Sequence, residues 1–365
     1  MSASRYEERR RRAAVVVEEA DLVGLLVSPG PDFAYLTGHE PPPLERLTLL
    51  LLRSGRDPVL VLPALEQPAA ESAPGAGGVE LMPWRDGEDP YELTARVLRS
   101  GRYAISDQTW ASHLIALEHA TADCLFVAAG RALPPLRAVK DDDEISRLRG
   151  AARGADAAFG EVVELSFAGR RELDVAADLD RLLRLHGHER VEFTIVGSGP
   201  NAASPHHGAS ERRIQPGDAV VLDFGGRAGG YCSDITRTVF VGEPDDERRT
   251  VYEVVRTAQQ AAFDSVRPGV AAQDVDRAAR AVVIDAGFGE LFVHRTGHGI
   301  GLEVHEPPYI VEGDETTLRP GMTFSDEPGI YVPGRFGVRI EDQVLVTPGG
   351  ADRLNEAPRD LLVVA

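Results

Sequence analysis

The chain has 365 residues, enough for two domains with separate cores, and its 43% hydrophobic and 27% charged residues are typical of a globular protein. The net charge of −19 disfavours nucleic acid or an anionic membrane surface as the main partner. No apolar run approaches the ~20 residues that a membrane span needs. Two cysteines, Cys124 and Cys232, are too few for a disulfide framework, so we expect a protein of the reducing cytoplasm.

The first twenty residues combine arginines with a short apolar run. Glu18, Glu19 and Asp21 interrupt the apolar segment that a signal peptide would require. We therefore expect an exposed amphipathic helix here. Arginine supplies nearly all of the positive charge and Lys140 is the only lysine, a composition bias that by itself says little about chemistry.

Residues 1–135 have the pattern of a small α/β domain. A proline- and glycine-rich segment, Pro68–Gly78, predicts a loop, and Asp89-Pro90 predicts the start of a helix that continues through Arg99. The three histidines of this region are isolated from other polar ligands, so we expect surface or core roles for them. The apolar runs of strand length are Leu22–Val27, Thr48–Leu52, Pro58–Leu62 and Val79–Met82.

A proline-containing junction predicts that a second domain spans residues 136–365. The acidic run Asp141–Glu144 supplies the negative charge that favours a helix N-terminus, and the helix is expected to continue to about Leu165. A second helix and a strand then lead to a loop with the sequence Pro205-His206-His207. The further predicted elements are helices at 172–185, 245–266 and 272–285, and strands at 191–197, 322–327 and 338–346.

The stretch Val220–Thr238 places two carboxylates on two strand-like runs. The first run ends at Asp223, the second opens at Asp234, and paired glycines at 225–226 and 229–230 permit a tight reversal between them. Two adjacent carboxylates repel each other unless a proton or a cation lies between them. The pair therefore suggests a metal site, and two strand-end aspartates that cap turns are the alternative.

The second half of this domain repeats the same spacing, which is the signature of an internal duplication. One Pro-Gly pair lies seven residues before Asp223, and another lies seven residues before Glu327. Asp234 then opens the next strand of the first copy, and Glu341 lies in the next strand of the second copy. A pseudo-twofold axis would bring all four carboxylates to one centre.

A glycine-rich segment between the two hairpins contains His294 and His298, four residues apart. Glycines at 297, 299 and 301 disfavour a helix, and we expect them to let the backbone approach a ligand closely. One imidazole and four carboxylates suit Mn, Fe, Co or Mg, and a set of this size fits two ions better than one. Two ions about 3.5–4 Å apart can bridge a water, lower its pKa and aim the hydroxide at a carbonyl. For the neighbouring Cys232 we expect a buried apolar role.

Residues from about 140 to the C-terminus resemble the pita-bread-fold metallopeptidases, which include methionine aminopeptidase, aminopeptidase P and prolidase. The resemblance lies in the segments LDFG, SDITRT, GHGIG, DEPGIY and RIEDQ. It implies that Asp223 chelates one ion, that His298 and Glu327 bind the other, and that Asp234 and Glu341 bridge both.

The resemblance also implies roles for three histidines. His206 resembles the histidine that contacts the substrate and steadies the tetrahedral intermediate, and the Pro-His step assigns this role to it rather than to the adjacent His207. His305, seven residues after the histidine ligand, resembles the second catalytic histidine. His294 resembles a substrate-side histidine, with a structural role as the alternative.

Two further residues and the metal follow from the same resemblance. Arg339 resembles the arginine that hydrogen-bonds the metal-site carboxylates in prolidases, and Glu327 would also act as a proton shuttle. Manganese is the expected metal, with cobalt, iron or zinc as alternatives. The family also implies a homodimer.

The N-terminal region resembles the creatinase/prolidase N-terminal domain through its YLTG segment at 35–38 and through the junction at 136–145. Methionine aminopeptidases usually lack this domain, so prolidase or aminopeptidase P is favoured. The expected fold class is α/β (α+β), with a small α/β N-terminal domain and a pita-bread domain built as a pseudo-twofold repeat. Such enzymes cleave the bond before proline, whose tertiary amide has no N–H.

The expected function is a dinuclear metal-dependent peptidase. It would cleave the Xaa-Pro bond at the N-terminus of dipeptides or short peptides, by attack of a metal-bridging hydroxide. One alternative is another metal-dependent reaction on the same scaffold, such as a lyase or a non-peptide C–N hydrolase. A more remote alternative is a non-catalytic binding module, although such modules typically lose ligands or carry charged tails.

Overall fold

A computed structural model describes residues 3–365 of the chain. Two compact units are present, Met1–Arg137 and Ala138–Ala365. Among the described residues, the helices are too short or too polar to cross a bilayer.

The first unit is built on one six-stranded mixed sheet in the order β4-β3-β2-β1-β5-β6. β1 pairs antiparallel with β2 and parallel with β5, and its residues are buried. The continuous apolar runs of the central strands fit this environment because both faces of a central strand are covered. The strands are β1 (Gly24–Val27), β2 (Leu49–Leu52), β3 (Val59–Pro63), β4 (Glu80–Trp84), β5 (Gly101–Ile105) and β6 (Cys124–Ala128).

The helices of the first unit correct three expectations. The N-terminal helix forms, but one face of it is buried: the Arg9 guanidinium lies 4.0 Å from the centre of the Tyr35 ring, and Arg10 Nη1 donates to the Leu36 carbonyl at 2.9 Å. Part of the predicted Pro68–Gly78 loop is helical, since a proline fits the first turn of a helix. The helix that starts after Asp89 ends at Ala95 instead of Arg99. The helices are α1 (Ala3–Glu19), α2 (Pro31–Thr37), α3 (Gln67–Ser72), α4 (Pro90–Ala95), α5 (Ala111–Ala120) and α6 (Ala129–Ala132).

The second unit contains four longer helices, which follow the predicted bounds closely. The Asp141 carboxylate caps the first of them by accepting from the backbone N–H groups of Asp143 and Glu144, both at 3.0 Å. Its alanine-rich face is buried, and this face lets the helix approach the sheet closely. The helices are α7 (Asp142–Val162), α8 (Glu172–Leu185), α9 (Asp246–Ser265) and α10 (Ala272–Asp285).

The strands of the second unit form a four-stranded sheet (β17-β9-β8-β7), a five-stranded sheet (β11-β10-β12-β15-β16) and a hairpin (β13-β14). The single strand predicted at 338–346 is wrong, because the chain leaves β14 at Arg339 and enters β15 at Asp342. The strands are β7 (Arg190–Ser198), β8 (Ala219–Ala228), β9 (Tyr231–Val241), β10 (Gly297–Gly299), β11 (Glu306–Ile310), β12 (Thr323–Asp326), β13 (Gly329–Val332), β14 (Phe336–Arg339), β15 (Asp342–Thr347), β16 (Gly350–Arg353) and β17 (Leu362–Val364).

The internal repeat is visible in matching backbone hydrogen bonds at the starts of α8 and α10. The Glu172 N–H donates to the Arg212 carbonyl at 3.0 Å, and the Ala272 N–H donates to the Thr316 carbonyl at 3.0 Å. Three neighbouring bonds match in the same way, with a constant offset of 100 residues for the residues at the helix start and 104 for their partners in the segments 210–214 and 314–318. Glu172 and Ala272 therefore occupy equivalent positions in the two copies.

Candidate metal centre

The β8–β9 hairpin places its two carboxylates on one face of the sheet. Asp223 lies opposite Thr236 and Asp234 lies opposite Gly225, so the two aspartates are diagonal neighbours. The expectation that Asp223 ends one strand and Asp234 opens the next is wrong, because both lie inside continuous strands. Both strands stay paired past the first glycine pair, and the chain reverses at Gly229-Gly230, where φ is 58° and 84°.

The second copy supplies three more side chains. Glu327 directly follows β12, and His298 lies in the short strand β10, which confirms the expectation that this segment is not helical. Glu341 lies between β14 and β15, and its N–H donates to the Thr236 carbonyl at 3.0 Å. This bond ties the second copy to β9 next to Asp234.

All five predicted metal ligands meet in overlapping groups of donor atoms. Within each group, one donor atom per residue lies within 4.8 Å of the others. Glu341 belongs to two of the groups, and Asp234 also belongs to two. The groups are Asp223, Asp234 and Glu341; His298, Glu327 and Glu341; and Asp234, His298 and His305.

These carboxylates have oxygen atoms available to bind a cation. Asp223 Oδ1, Asp234 Oδ1 and Glu341 Oε1 are buried and have no hydrogen-bond partner among residues 3–365. A buried polar atom without a partner is costly, whereas a divalent cation satisfies several carboxylate oxygens at once. The residues present therefore fit bound divalent metal ions.

The electrostatics of the cluster agree with this fit. Burial, and then the neighbouring Glu341, raises the pKa of Asp234 well above its usual value, and burial likewise raises the pKa of Glu341. Burial raises the pKa of Glu327 to about 7. Burial and the nearby His305 lower the pKa of His298. Such a site resists accumulating bare negative charge, which a bound cation would offset.

Arg339 connects the cluster to its surroundings. Its Nη2 donates to Asp223 Oδ2 at 2.5 Å, its Nε to Thr236 Oγ1 at 3.1 Å and its Nη1 to the Tyr331 hydroxyl at 2.8 Å. Thr236 Oγ1 in turn donates to Glu341 Oε2 at 2.6 Å. The arginine is buried, and it contacts the Asp223 carboxylate directly and the Glu341 carboxylate through Thr236.

Sequence reasoning overlooked Thr236 and Tyr331. Thr236 lies two positions after Asp234 on the same face of β9, so strand periodicity could have identified it. Tyr331 follows Glu327 by four residues, but its role depends on the β13–β14 hairpin, and no local sequence signal indicates it.

The structure separates the two adjacent histidines. His206 lines the cavity at the metal centre, whereas His207 Nε2 lies 3.0 Å from Glu172 Oε2. His305 also lines the cavity, and its ring centre lies 4.0 Å from that of His298.

His294 lines the same cavity but is engaged in hydrogen bonds. Its Nε2 lies 2.7 Å from the Tyr331 hydroxyl and its Nδ1 lies 2.7 Å from the Arg295 carbonyl. Burial, and then the nearby Arg339, lowers the pKa of His294 to about 3, so the ring is neutral. Both ring nitrogens are therefore engaged within the protein, and a contact between His294 and the substrate stays a prediction.

The glycines around His298 serve strand packing. A Cβ atom at Gly297 would collide with the Ser325 carbonyl, and one at Gly299 would collide with the Glu306 carbonyl. Strand packing thus requires glycine at both positions, and the close approach of a ligand to this backbone stays a prediction. Cys232 is buried, as expected, and its Sγ contacts the Leu302 carbonyl at 3.6 Å.

The cavity above the carboxylates has a volume of about 620 Å³. Phe193, Ile195 and Val304 form an apolar part of its lining, and Arg295 contributes a cation. This volume is within the range of pockets that hold small molecules.

The class of protein follows from the fold, the donor set and a match to a family model. Residues 146–348 match the model of metallopeptidase family M24, and residues 9–139 match the creatinase/prolidase N-terminal domain. The chain belongs to metallopeptidase family M24 and has the pita-bread fold expected from the sequence. Members of this family use divalent metal ions.

The chain is similar to several named proteins over nearly its whole length. It is 48% identical to a probable dipeptidase PepE of Mycobacterium tuberculosis over 366 residues, which cover 99% of this chain and 97% of the relative. It is 38% identical to an Xaa-Pro dipeptidase of Lactobacillus helveticus, over 91% of this chain and 92% of the relative.

Solved structures show the same similarity. The crystal structure of dipeptidase PepE from Mycobacterium ulcerans matches with a TM-score of 0.96 and 46% identity, and the match covers 100% of this chain and 99% of the other. A prolidase from Thermococcus sibiricus matches with a TM-score of 0.91 and 37% identity over 98% and 99% of the two chains.

Proposed function

We propose that this protein is an Xaa-Pro dipeptidase that works with two divalent metal ions. The observation that carries the proposal is the pair of donor groups that share Glu341 at a cavity of about 620 Å³. The names of the similar proteins support the same substrate class. When bound, two divalent ions supply a Lewis acid for the peptide carbonyl and lower the pKa of a water molecule.

The proposed roles of the five ligands are those that the resemblance to the family implies. Asp223 would hold one ion, and His298 and Glu327 would hold the other. Glu341 and Asp234 would serve both, as the resemblance implies, and Glu341 is shared by the group that contains Asp223 and the group that contains His298 and Glu327. Arg339 would keep the Asp223 carboxylate in place through the 2.5 Å hydrogen bond.

The proposed proton and substrate contacts come from the walls of the cavity. Glu327 lines the cavity, with Oε1 3.4 Å from His298 Nε2, and would also serve as the proton shuttle that the family resemblance implies. His206 and His305 line the cavity and can donate hydrogen bonds to the peptide carbonyl as negative charge develops on its oxygen. His294 would contact the substrate with its orientation set by Tyr331.

The cavity walls favour a short peptide that contains proline. Phe193, Ile195 and Val304 offer an apolar surface for the pyrrolidine ring. The Arg295 guanidinium can pair with the terminal carboxylate of a dipeptide, which a longer peptide would place elsewhere. We therefore propose a preference for dipeptides over longer peptides.

Manganese is the proposed metal, because oxygen-rich donor sets with one imidazole accept it readily. Cobalt, iron or zinc are the alternatives. We also propose that the protein is a homodimer. A location in the reducing cytoplasm is proposed as well, and it is supported by the two free cysteines. Light scattering would measure the oligomeric state.

The proposal is tested by hydrolysis assays on protein stripped of metal and reloaded separately with Mn, Co and Zn. Ala-Pro and Met-Pro should be cleaved, Ala-Ala should resist, and Ala-Pro-Gly should be cleaved more slowly than Ala-Pro. An Arg295→Met variant should lose the preference for Ala-Pro over Ala-Pro-Gly. Two bound ions without cleavage of any peptide would redirect the search toward a lyase or another hydrolytic substrate.

A further inference from the structure

Glu172, the first residue of α8, has a fully buried carboxylate that accepts several hydrogen bonds. All of its partners lie in the segment 198–210, which carries His206. At the start of the segment they are Ser198 N (2.8 Å), Ser198 Oγ (2.6 Å) and Asn201 Nδ2 (3.1 Å). At its end they are Ser210 N (3.1 Å) and Ser210 Oγ (2.6 Å), with His207 Nε2 at 3.0 Å in between.

Arg339 also contacts this segment. Its Nη1 donates to the Pro205 carbonyl at 3.3 Å. His206 thus lies between a residue tied to Arg339 and a residue tied to Glu172. Its side chain faces the cavity while its neighbour on each side is restrained.

Comparison of the two copies of the internal repeat shows that the fold does not require a carboxylate at the position of Glu172. The equivalent position in the second copy is Ala272, and its backbone makes the equivalent hydrogen bond at the same distance of 3.0 Å. An alanine therefore permits the same helix start and the same backbone hydrogen bonds to the facing segment. The buried glutamate is an addition specific to the copy that carries His206.

Burying a carboxylate is costly unless hydrogen bonds satisfy it. Burial alone would raise the pKa of Glu172, but hydrogen bonds from Ser198 and Ser210 outweigh burial and lower it. The group is therefore an anion that accepts hydrogen bonds from both ends of the segment 198–210.

We propose that Glu172 is a positioning residue, which holds the segment 198–210 so that His206 faces the substrate. The inference rests on the proposed catalytic contact of His206. Glu172 is not one of the five proposed metal ligands.

The test uses the full-length, metal-loaded enzyme and the variant Glu172→Gln. Glutamine keeps the shape but turns one acceptor oxygen into a donor that faces other donors, so the segment should shift. A displacement of about 1 Å costs up to about 100-fold in rate, so we expect kcat for Ala-Pro to fall about 10- to 100-fold. Metal content should stay unchanged, because Glu172 contacts no metal ligand among its observed hydrogen-bond partners.

A double-mutant cycle with His206→Ala distinguishes positioning from general destabilisation. If Glu172 acts through His206, Glu172→Gln should cause no further loss of kcat in the His206→Ala background. If the two losses multiply, the proposal is overturned. Ser210→Ala, which removes one 2.6 Å hydrogen bond, gives a milder variant should Glu172→Gln fold poorly. It should show a smaller loss with the same dependence on His206.

Asp156→Asn is the matched control. Its carboxylate accepts from Asn355 Nδ2 at 3.1 Å and from the Glu356 N–H at 2.6 Å, so it also restrains a segment, but one that does not line the cavity. This variant should keep kcat for Ala-Pro.

Hydrogen exchange of residues 199–209 supplies a readout that does not depend on activity. We expect exchange there to rise about tenfold or more in Glu172→Gln, and not in the control. If the wild-type enzyme has no Xaa-Pro activity but Glu172→Gln still raises exchange in this segment, the proposed function is refuted and the positioning role of Glu172 stands. Unchanged exchange in this segment would refute the positioning role whether or not the enzyme is active.

Discussion

The only lysine of the chain forms a buried ion pair whose removal should be costly. Lys140 Nζ lies 2.8 Å from Glu306 Oε1, and the two side chains are 1% and 2% exposed. Replacing Lys140 by methionine keeps the length of the side chain but takes the cation away from a buried carboxylate. Breaking a buried ion pair in this way costs about 3–5 kcal/mol. The sequence interpretation of Lys140 as a matter of composition alone therefore missed its buried ion pair with Glu306.

Arg149→Met is the matched control, because its pair with Asp352 at 2.8 Å is 35% and 52% exposed. Exposed pairs contribute at most about 1 kcal/mol. At about 2–4 °C per kcal/mol, Lys140→Met should lower the Tm by about 6–20 °C, and the control by a few degrees at most.

The assay is thermal and urea unfolding of both variants, with the double variant Lys140→Met/Glu306→Leu alongside. An apolar replacement of both partners should recover much of the loss, since no buried charge remains. If Lys140→Met costs no more than Arg149→Met, the buried pair does not contribute as the structure implies, and the reasoning is refuted.

Three further predictions concern the metal centre. In the metal-free protein the pKa of Glu327 is raised from 4.5 to about 7, so its protonated form stabilises the folded state. This contribution to the free energy of unfolding is complete below pH 4.5 and is lost as pH rises through 7. Thermal melts from pH 5.5 to 8 should therefore show a falling Tm without metal and a flatter profile with metal. Asp234→Asn should lower the bound metal and abolish activity, as metal analysis would show; full metal binding would contradict its assignment. Tyr331→Phe removes the hydroxyl that hydrogen-bonds Arg339 and His294, so it should lower the free energy of unfolding by about 1–3 kcal/mol and also lower kcat/KM. An unchanged free energy of unfolding in urea would contradict this.

The four long helices of the second unit could be predicted closely because their signals are local. Acidic caps such as Asp141 and Asp245, and apolar residues at helical spacing, depend only on nearby residues. The five residues that meet at the metal centre were found because the spacing repeats between the copies and because the motifs resemble a known family.

The errors fall where tertiary contacts override local preference. Gly225 predicts a turn by composition, but it lies in a paired strand where a side chain would collide with the Ser233 carbonyl. Glu341 lies between two strands and forms an isolated bridge to Thr236, which is 105 positions away in the chain. The Glu172 cluster depends on residues up to 38 positions away, a separation at which local pattern carries no information.

The central claim is that two metal ions at the five-residue cluster support cleavage before proline. A titration of metal-free protein with Mn, in which bound metal and Ala-Pro hydrolysis are measured in the same samples, tests this most directly. Activity should appear as binding approaches about two ions per chain, with Ala-Ala left intact and with no activity in Asp234→Ala. Hydrolysis of Ala-Pro without metal, or two bound ions with no hydrolysis, would contradict the claim.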